Sequence, residues 1–134
     1  MKINILDLIE SYYGMQDGEH IKDFNKIIYF ENHDLALILK YRVLKHIVEQ
    51  RKRDGYSLCE TLRLFADVQD LVDMKNYMMF ENKKEVGTVL FIEITNGKRK
   101  GVVLVLEGLL LQDKDYVIKT GFYRAYSKIR KLMR

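Results

Sequence analysis

Three groups of residues in this chain have the types and spacing to do chemistry. They are His46 on an amphipathic stretch, the run Lys98-Arg99-Lys100, and the segment Lys119-Thr120-Gly121-Phe122-Tyr123-Arg124. No glycine-rich phosphate loop, zinc-type spacing or nucleophile elbow accompanies them. The three histidines, His20, His33 and His46, are too scattered to nominate a metal, so neither a metal nor another cofactor is expected. A basic, metal-free set of this kind suits RNA cleavage, because the 2′-hydroxyl is an internal nucleophile. The protein then supplies a proton carrier near neutral pH and positive charge for the pentacoordinate phosphate. Histidine titrates in that range. Arginine offers a fork for phosphate oxygens, threonine a hydrogen bond, and tyrosine a ring for stacking on a base. Each residue also has an ordinary reading. His46 sits among Arg42, Glu49 and Arg53 on a solvated helix side, Lys98-Arg99-Lys100 is a polar hairpin, Thr120 a strand residue, Tyr123 a core aromatic, and Arg124 a helix boundary.

The elements that must position these groups follow from hydrophobic periodicity. Apolar residues at 5, 6, 8, 9, 12 and 13 predict a helix over 3–13, ended by Gly14 and Asp17-Gly18. Residues 21–30 fit strand or helix. Asn32 reads as an N-cap for a helix from His33 to Arg53, with Ala36, Leu39, Val43 and Ile47 as its buried stripe and Asp54-Gly55 as its stop. Ser57 and Glu60 have capping-box spacing and open the next helix, with a further short helical segment over 67–73. Residues 75–80 fit a last helical turn or a first strand, and Tyr, Met and Phe between polar turns favour an edge strand.

From Gly87 onward the period changes to two. Gly87–Thr95 is a strand, Asn96-Gly97 a type I′ hairpin turn, and 101–111 a strand with apolar residues at both parities. That strand is therefore expected to be central and covered on both faces. Gln112–Lys114 turn the chain and Asp115–Thr120 return it. Tyr126, Ile129 and Met133 then follow at helical spacing between Lys128, Arg130, Lys131 and Arg134. The expected fold is α+β: N-terminal helices packed on a three- to four-stranded antiparallel meander, with a short C-terminal helical tail. The expected layout is one domain over 1–134, mainly helical in 1–80, a meander over 87–121 and a basic tail over 123–134.

Composition limits the partners. The chain has 134 residues and a net charge of +4, enough for one cored domain. Residues 98–134 carry 10 Lys/Arg against 3 Asp/Glu, while 1–97 carry 13 against 16, so +7 of charge is concentrated behind a body of −3. A basic end of this kind calls for a polyanionic partner, nucleic acid or a lipid surface, unless it is simply solvated. No apolar run is long enough to span a membrane, and the first ten residues do not read as a signal peptide. Cys59, the one cysteine, excludes disulfides within the chain and reads as a small buried helix residue.

The order of these elements resembles a known superfamily. The residues that carry the likeness are Lys45-His46-Ile47 with Arg51, the segment from Ser57 to Phe80, the hairpin at Asn96-Gly97, and Tyr116 to Phe122. Over about residues 33–124 they are similar to the barnase–EndoU–colicin–RelE-like RNases, especially phage and contact-dependent toxin branches. The resemblance implies a metal-independent endoribonuclease toxin that cleaves RNA, tRNA among its possible targets, to a 2′,3′-cyclic phosphate. It implies His46 as proton carrier, Thr120 orienting the phosphate, Arg124, Lys119 and Lys45 holding it, and Tyr123 at the site. RNA contacts would come from Lys45, Arg42, Arg51, Lys98, Arg99 and Lys100. It further implies a cognate immunity or antitoxin protein, action in the cytoplasm, and delivery as the C-terminal part of a larger secreted toxin. The residues themselves also admit a non-catalytic reading, in which a basic domain grips nucleic acid through its tail helix. An immunity-type or phage accessory protein is a third.

Overall fold

The computed structural model describes residues 2–3, 27–95, 97–108 and 114–133. The expected N-terminal helix beyond Ile3, its stop at Gly14 and Asp17-Gly18, and the turn residues Asn96, Gln112 and Asp113 lie outside them.

The chain forms strands β1 (Lys2–Ile3), β2 (Ile27–Glu31) and β3 (Ala36–Lys40), helices α1 (Tyr41–Arg53) and α2 (Leu58–Met74), strands β4 (Tyr77–Glu81), β5 (Thr88–Glu93), β6 (Lys100–Gly108) and β7 (Asp115–Ala125), and helix α3 (Tyr126–Leu132). All seven strands join one sheet in the order β1-β2-β3-β7-β6-β5-β4. Strands β4 to β7 run antiparallel in sequence, and β7 then pairs in parallel with β3. The sheet is therefore mixed, six strands of five residues or more plus the two-residue β1. This corrects the expected architecture of helices on a three- to four-stranded meander: α1 and α2 form one crossover, leaving β3 and returning the chain at the far edge as β4.

The correction begins at residues 32–40. Asn32 Oδ1 accepts the Asp34 N–H at 2.7 Å, and the Asn32 N–H donates to the Leu35 carbonyl at 2.8 Å. This is the hydrogen-bonding chemistry of an N-cap placed in a hairpin turn, because an Asx side chain closes both equally well. The run Leu35-Ala36-Leu37-Ile38-Leu39 is too short to distinguish a period of two from one of 3.6. Its partner decides: Phe30 faces Leu37 and Ile28 faces Leu39 across the hairpin, and all four are fully buried. α1 starts only at Tyr41, on an N-cap residue, Lys40, whose side chain makes no capping bond. Residues 1–80 therefore carry strands β2, β3 and the start of β4 beside their two helices.

α2 begins as its residues dictate. The Ser57 hydroxyl accepts the Glu60 N–H and the Glu60 carboxylate accepts the Ser57 N–H, each at 3.1 Å. It ends at Lys75, in the left-handed conformation with φ 58°, where the Asn76 N–H donates to the Leu71 carbonyl at 3.0 Å.

Both faces of the sheet are covered, by different means. On one, α1 and α2 bury Leu44, Ile47, Leu62, Phe65, Val68 and Val72 against Phe91, Val102, Leu104, Leu106 and Ile118. On the other, a smaller cluster of Leu90, Ile92, Val103 and Ile129 forms under α3, with Phe122 and Leu132 at its margin. Strand β6 contributes to both clusters, which is why it carries apolar residues at both parities.

Candidate nucleic-acid interface

The alternation of β7 fixes where its side chains lead. A Cβ on Gly121 would stand 2.6 Å from Leu104 Cδ2 and 3.4 Å from Leu64 Cδ2, so this position faces the helices and leaves no room for a side chain. Tyr123, two residues on, faces the same way and donates its hydroxyl to Asp67 Oδ2 of α2 at 2.6 Å. Thr120, Phe122 and Arg124 therefore belong to the opposite face. A bulge opposite Val105/Leu106 leaves Lys119 without a cross-strand partner and restores this register.

His46 lies elsewhere. α1 is buried through Tyr41, Leu44, Ile47 and Val48, and the helical period puts His46 on the outward side, together with Arg42 and flanked by Lys45. Its ring is exposed, and Nε2 meets Gln50 Nε2 at 3.1 Å within the same helix. This imidazole is on the outward side of α1, whereas Thr120 and Arg124 are on the face of β7 turned away from the helices. The structure does not bring His46 to them.

The remaining sequence candidates divide into three places. Lys119 is tied to Glu85 in the β4–β5 turn at 2.6 Å, and that hydrogen bond raises its pKa above the ordinary lysine value. This engages Lys119 away from Arg124, several residues further along the strand. Lys98 and Tyr123 line a groove between α2 and the end of the β5–β6 hairpin. Lys98 pairs with buried Glu93 at 2.8 Å, which raises the lysine pKa, and the other Glu93 oxygen accepts the Val102 N–H at 2.9 Å. The Tyr123 hydroxyl is held protonated, far above the usual phenol range, by burial first and by its bond to Asp67 second. Its ring lies beneath the Lys100 ammonium, 5.2 Å from the centroid, so it is a buttress of the groove wall, not an open stacking platform. Two adjoining hollows of about 340 Å³ share Asp67, Glu93 and Lys98 along this groove.

The third place joins residues the sequence kept apart. β3 pairs only with residues 115–117 of β7, so the later half of β7 is left to the end of α1. Arg51 reaches from α1 to the Phe122 ring, with its guanidinium carbon 5.8 Å from the centroid, and Arg124 stands over the same ring at 4.9 Å. Beyond Arg124, α3 is docked by buried Ile129, while the Tyr126 N–H donates to the Arg99 carbonyl at 2.8 Å. That docking turns Lys128, Arg130 and Lys131 to solvent, and Arg130 stands over the exposed Tyr126 ring at 5.9 Å. Among the described residues, Arg99, Arg124, Lys128, Arg130 and Lys131 meet no carboxylate at ion-pair distance, whereas Arg51 reaches Asp54 at 3.4 Å.

This surface combines unneutralised cations with aromatic rings, the two features that hold a nucleic-acid strand by its phosphates and bases. Sequence reasoning placed Arg51, Arg99 and Arg124 among the candidates. It gave no site role to Phe122, Tyr126, Lys128, Arg130 or Lys131 individually. The spacing of Tyr126 and Arg130, four apart beside the apolar Ile129, is the signal that points to them. No group of three or more histidine, cysteine or acidic side chains able to hold a metal occurs among the described residues. No described helix is long and apolar enough to cross a membrane. Comparison with protein-family models, with curated proteins and with solved structures finds no match.

Proposed function

We propose that the protein is a nucleic-acid-binding module that holds a strand on the face formed by Phe122, Arg124 and α3. The observation that carries the reading is the row of cations without acidic partners among the described residues, on and beside the docked helix, set next to two guanidiniums over Phe122 and one over Tyr126. Guanidinium planes and aromatic rings stack on unpaired bases, and lysines follow phosphates, so a single strand suits this surface better than a duplex. The same face explains the charge division of the chain, since most of the C-terminal excess is displayed on it. Cleavage that depends on His46 is not part of the proposal, because that ring is on the outer side of the helix layer.

The test is an anisotropy titration of a labelled single-stranded RNA and of a duplex of equal length, at low and at physiological salt. The single strand should bind more tightly, with affinity falling steeply as salt rises. Absence of binding at low salt overturns the reading. Discrete fragments with cyclic-phosphate ends, appearing when total RNA is incubated with the protein in EDTA, would replace it with a nuclease.

A further inference from the structure

One charged donor beside Phe122 is left unmet. The Arg51 side chain is only 17 % exposed, and its Nε–H is buried with no hydrogen-bond partner among the described residues. Asp54 stands 3.4 Å from Nη2, longer than a strong charge-assisted bond. An unmet buried donor costs stability, so packing must hold this guanidinium where it is. Its support is the Phe122 ring, 5.8 Å away, reached across the stretch of β7 that β3 leaves open after residue 117. Arg124 brings a second guanidinium to the same ring at 4.9 Å, and meets no carboxylate at ion-pair distance among the described residues. Two like charges converge there with little countercharge. A base stacking on Phe122 would displace one of them, whereas a phosphate would join them.

The geometry points to a clamp, formed by Arg51 and Arg124, for the terminal phosphate of the bound RNA strand. The inference rests on the strand-binding reading above and adds what the site selects. An internal phosphodiester carries a single negative charge. A terminal phosphomonoester carries about two at neutral pH and presents three acceptor oxygens, which suits two guanidinium forks. The cationic track also ends at this point. Along α3 the cations have no acidic partners among the described residues, but at Arg51 carboxylates return. Asp54 lies beside it, and Glu60 lines the small hollow that Arg51 shares with Tyr56 and Phe122. Lys100, over the Tyr56 ring at 5.8 Å, offsets Glu60 without adding surplus charge. An RNA strand that follows the cations of α3 therefore reaches Arg51 with its end.

Either end of the RNA can supply this group, and competition binding to the full chain separates them. Three unlabelled single strands of one sequence, with a 5′-phosphate, a 3′-phosphate or neither, compete at low salt against a labelled reference strand. One phosphorylated strand should bind at least about tenfold more tightly than the strand with neither, the worth of one charge-assisted hydrogen bond. In Arg124→Ala and in Arg51→Gln that ratio should fall towards one. In Lys128→Ala/Arg130→Ala/Lys131→Ala all three strands should weaken together and the ratio should persist. Melting curves check folding, and the half-buried Arg124 decides the matter should Arg51→Gln fail to fold. Equal affinities for the three strands overturn the clamp and leave strand binding standing. An equal gain from both phosphates, which charge alone would give, overturns it too, as does a ratio that survives Arg124→Ala. Binding of none of the three overturns the strand-binding reading and the clamp with it.

Discussion

The two faces of the sheet teach different lessons. The α1–α2 face is the more heavily packed: most of the buried core lies under its helices, Leu104 and Leu64 close in on the position of Gly121, and the Tyr123–Asp67 pair joins it to β7. The α3 face is thinner, with four buried apolar residues among the described ones, and its margin is made of half-covered aromatics and cations. The first face holds the molecule together, and the second is where the proposed strand would lie. Substitutions should therefore separate cleanly, stability responding on one side and affinity on the other.

The largest effect is expected from Phe65→Ala. Phe65 is fully buried between the helices and the sheet and stacks on Phe30 with centroids 6.2 Å apart. Its truncation should cost about 3–5 kcal/mol of stability, read by urea denaturation, with binding intact in whatever fraction stays folded. Next is the triple variant Lys128→Ala/Arg130→Ala/Lys131→Ala. With about 0.7 counterions released per phosphate contact on a single strand, losing three contacts should weaken RNA binding roughly 100-fold at 0.1 M salt. The salt slope should fall by about 2, while thermal stability hardly moves, since these side chains are exposed. An unchanged salt slope would break the division between the faces.

Tyr126→Ala sharpens it. If the ring stacks on a base, its loss should cost about 1–3 kcal/mol of affinity and leave the salt slope as it was. The contrast with the lysine and arginine variants separates stacking from phosphate contact.

On the α1–α2 face, Ser57→Ala should cost about 1 kcal/mol of stability and nothing in binding. The same capping box has a pH signature. The Ser57 N–H and side chain hold the Glu60 carboxyl below its ordinary pKa. A lowered folded pKa contributes stability above the ordinary carboxylate value, and that contribution is lost as pH falls through the lowered one. Thermal melts from neutral to acid pH should show a smaller acid-side loss in Glu60→Gln than in the parent chain.

The same capping box shows what can be read from local sequence, because Ser57 and Glu60 satisfy each other whatever the rest of the chain does. The strands after Gly87 were legible as strands, since alternation over six or more residues has no helical equivalent, but the last runs five residues past the expected Thr120, to Ala125. The edge position of β4 followed from its short apolar run between polar turns. Residues 35–39 were misleading because five apolar residues fit either period and Asn32 closes a turn as readily as it caps a helix. The insertion of β7 beside β3 depends on contacts some eighty residues apart in sequence, which no local pattern encodes. Arg51, Phe122 and Arg124 are neighbours only because of that insertion. The candidate site was therefore legible as charge, but not as geometry.

The smallest expected effect is the most informative about catalysis. His46 is exposed, bonds only to Gln50 among the described residues, and faces away from the strand that carries Thr120 and Arg124. General acid–base catalysis requires a proton carrier within hydrogen-bond reach of the reacting oxygen, and losing such a group lowers rates by about 10²–10⁴-fold. A ring on the outer side of α1 cannot serve a strand bound across the sheet. His46→Ala should therefore leave RNA affinity unchanged and shift stability by no more than about 0.5 kcal/mol, as exposed helix substitutions do. The measurement is paired: anisotropy for binding, and gel analysis of total RNA in EDTA for cleavage, on the parent and the variant side by side. Cleavage by the parent that vanishes with His46 would mean that the RNA lies on the helix layer, and the assignment of the two faces would have to be reversed.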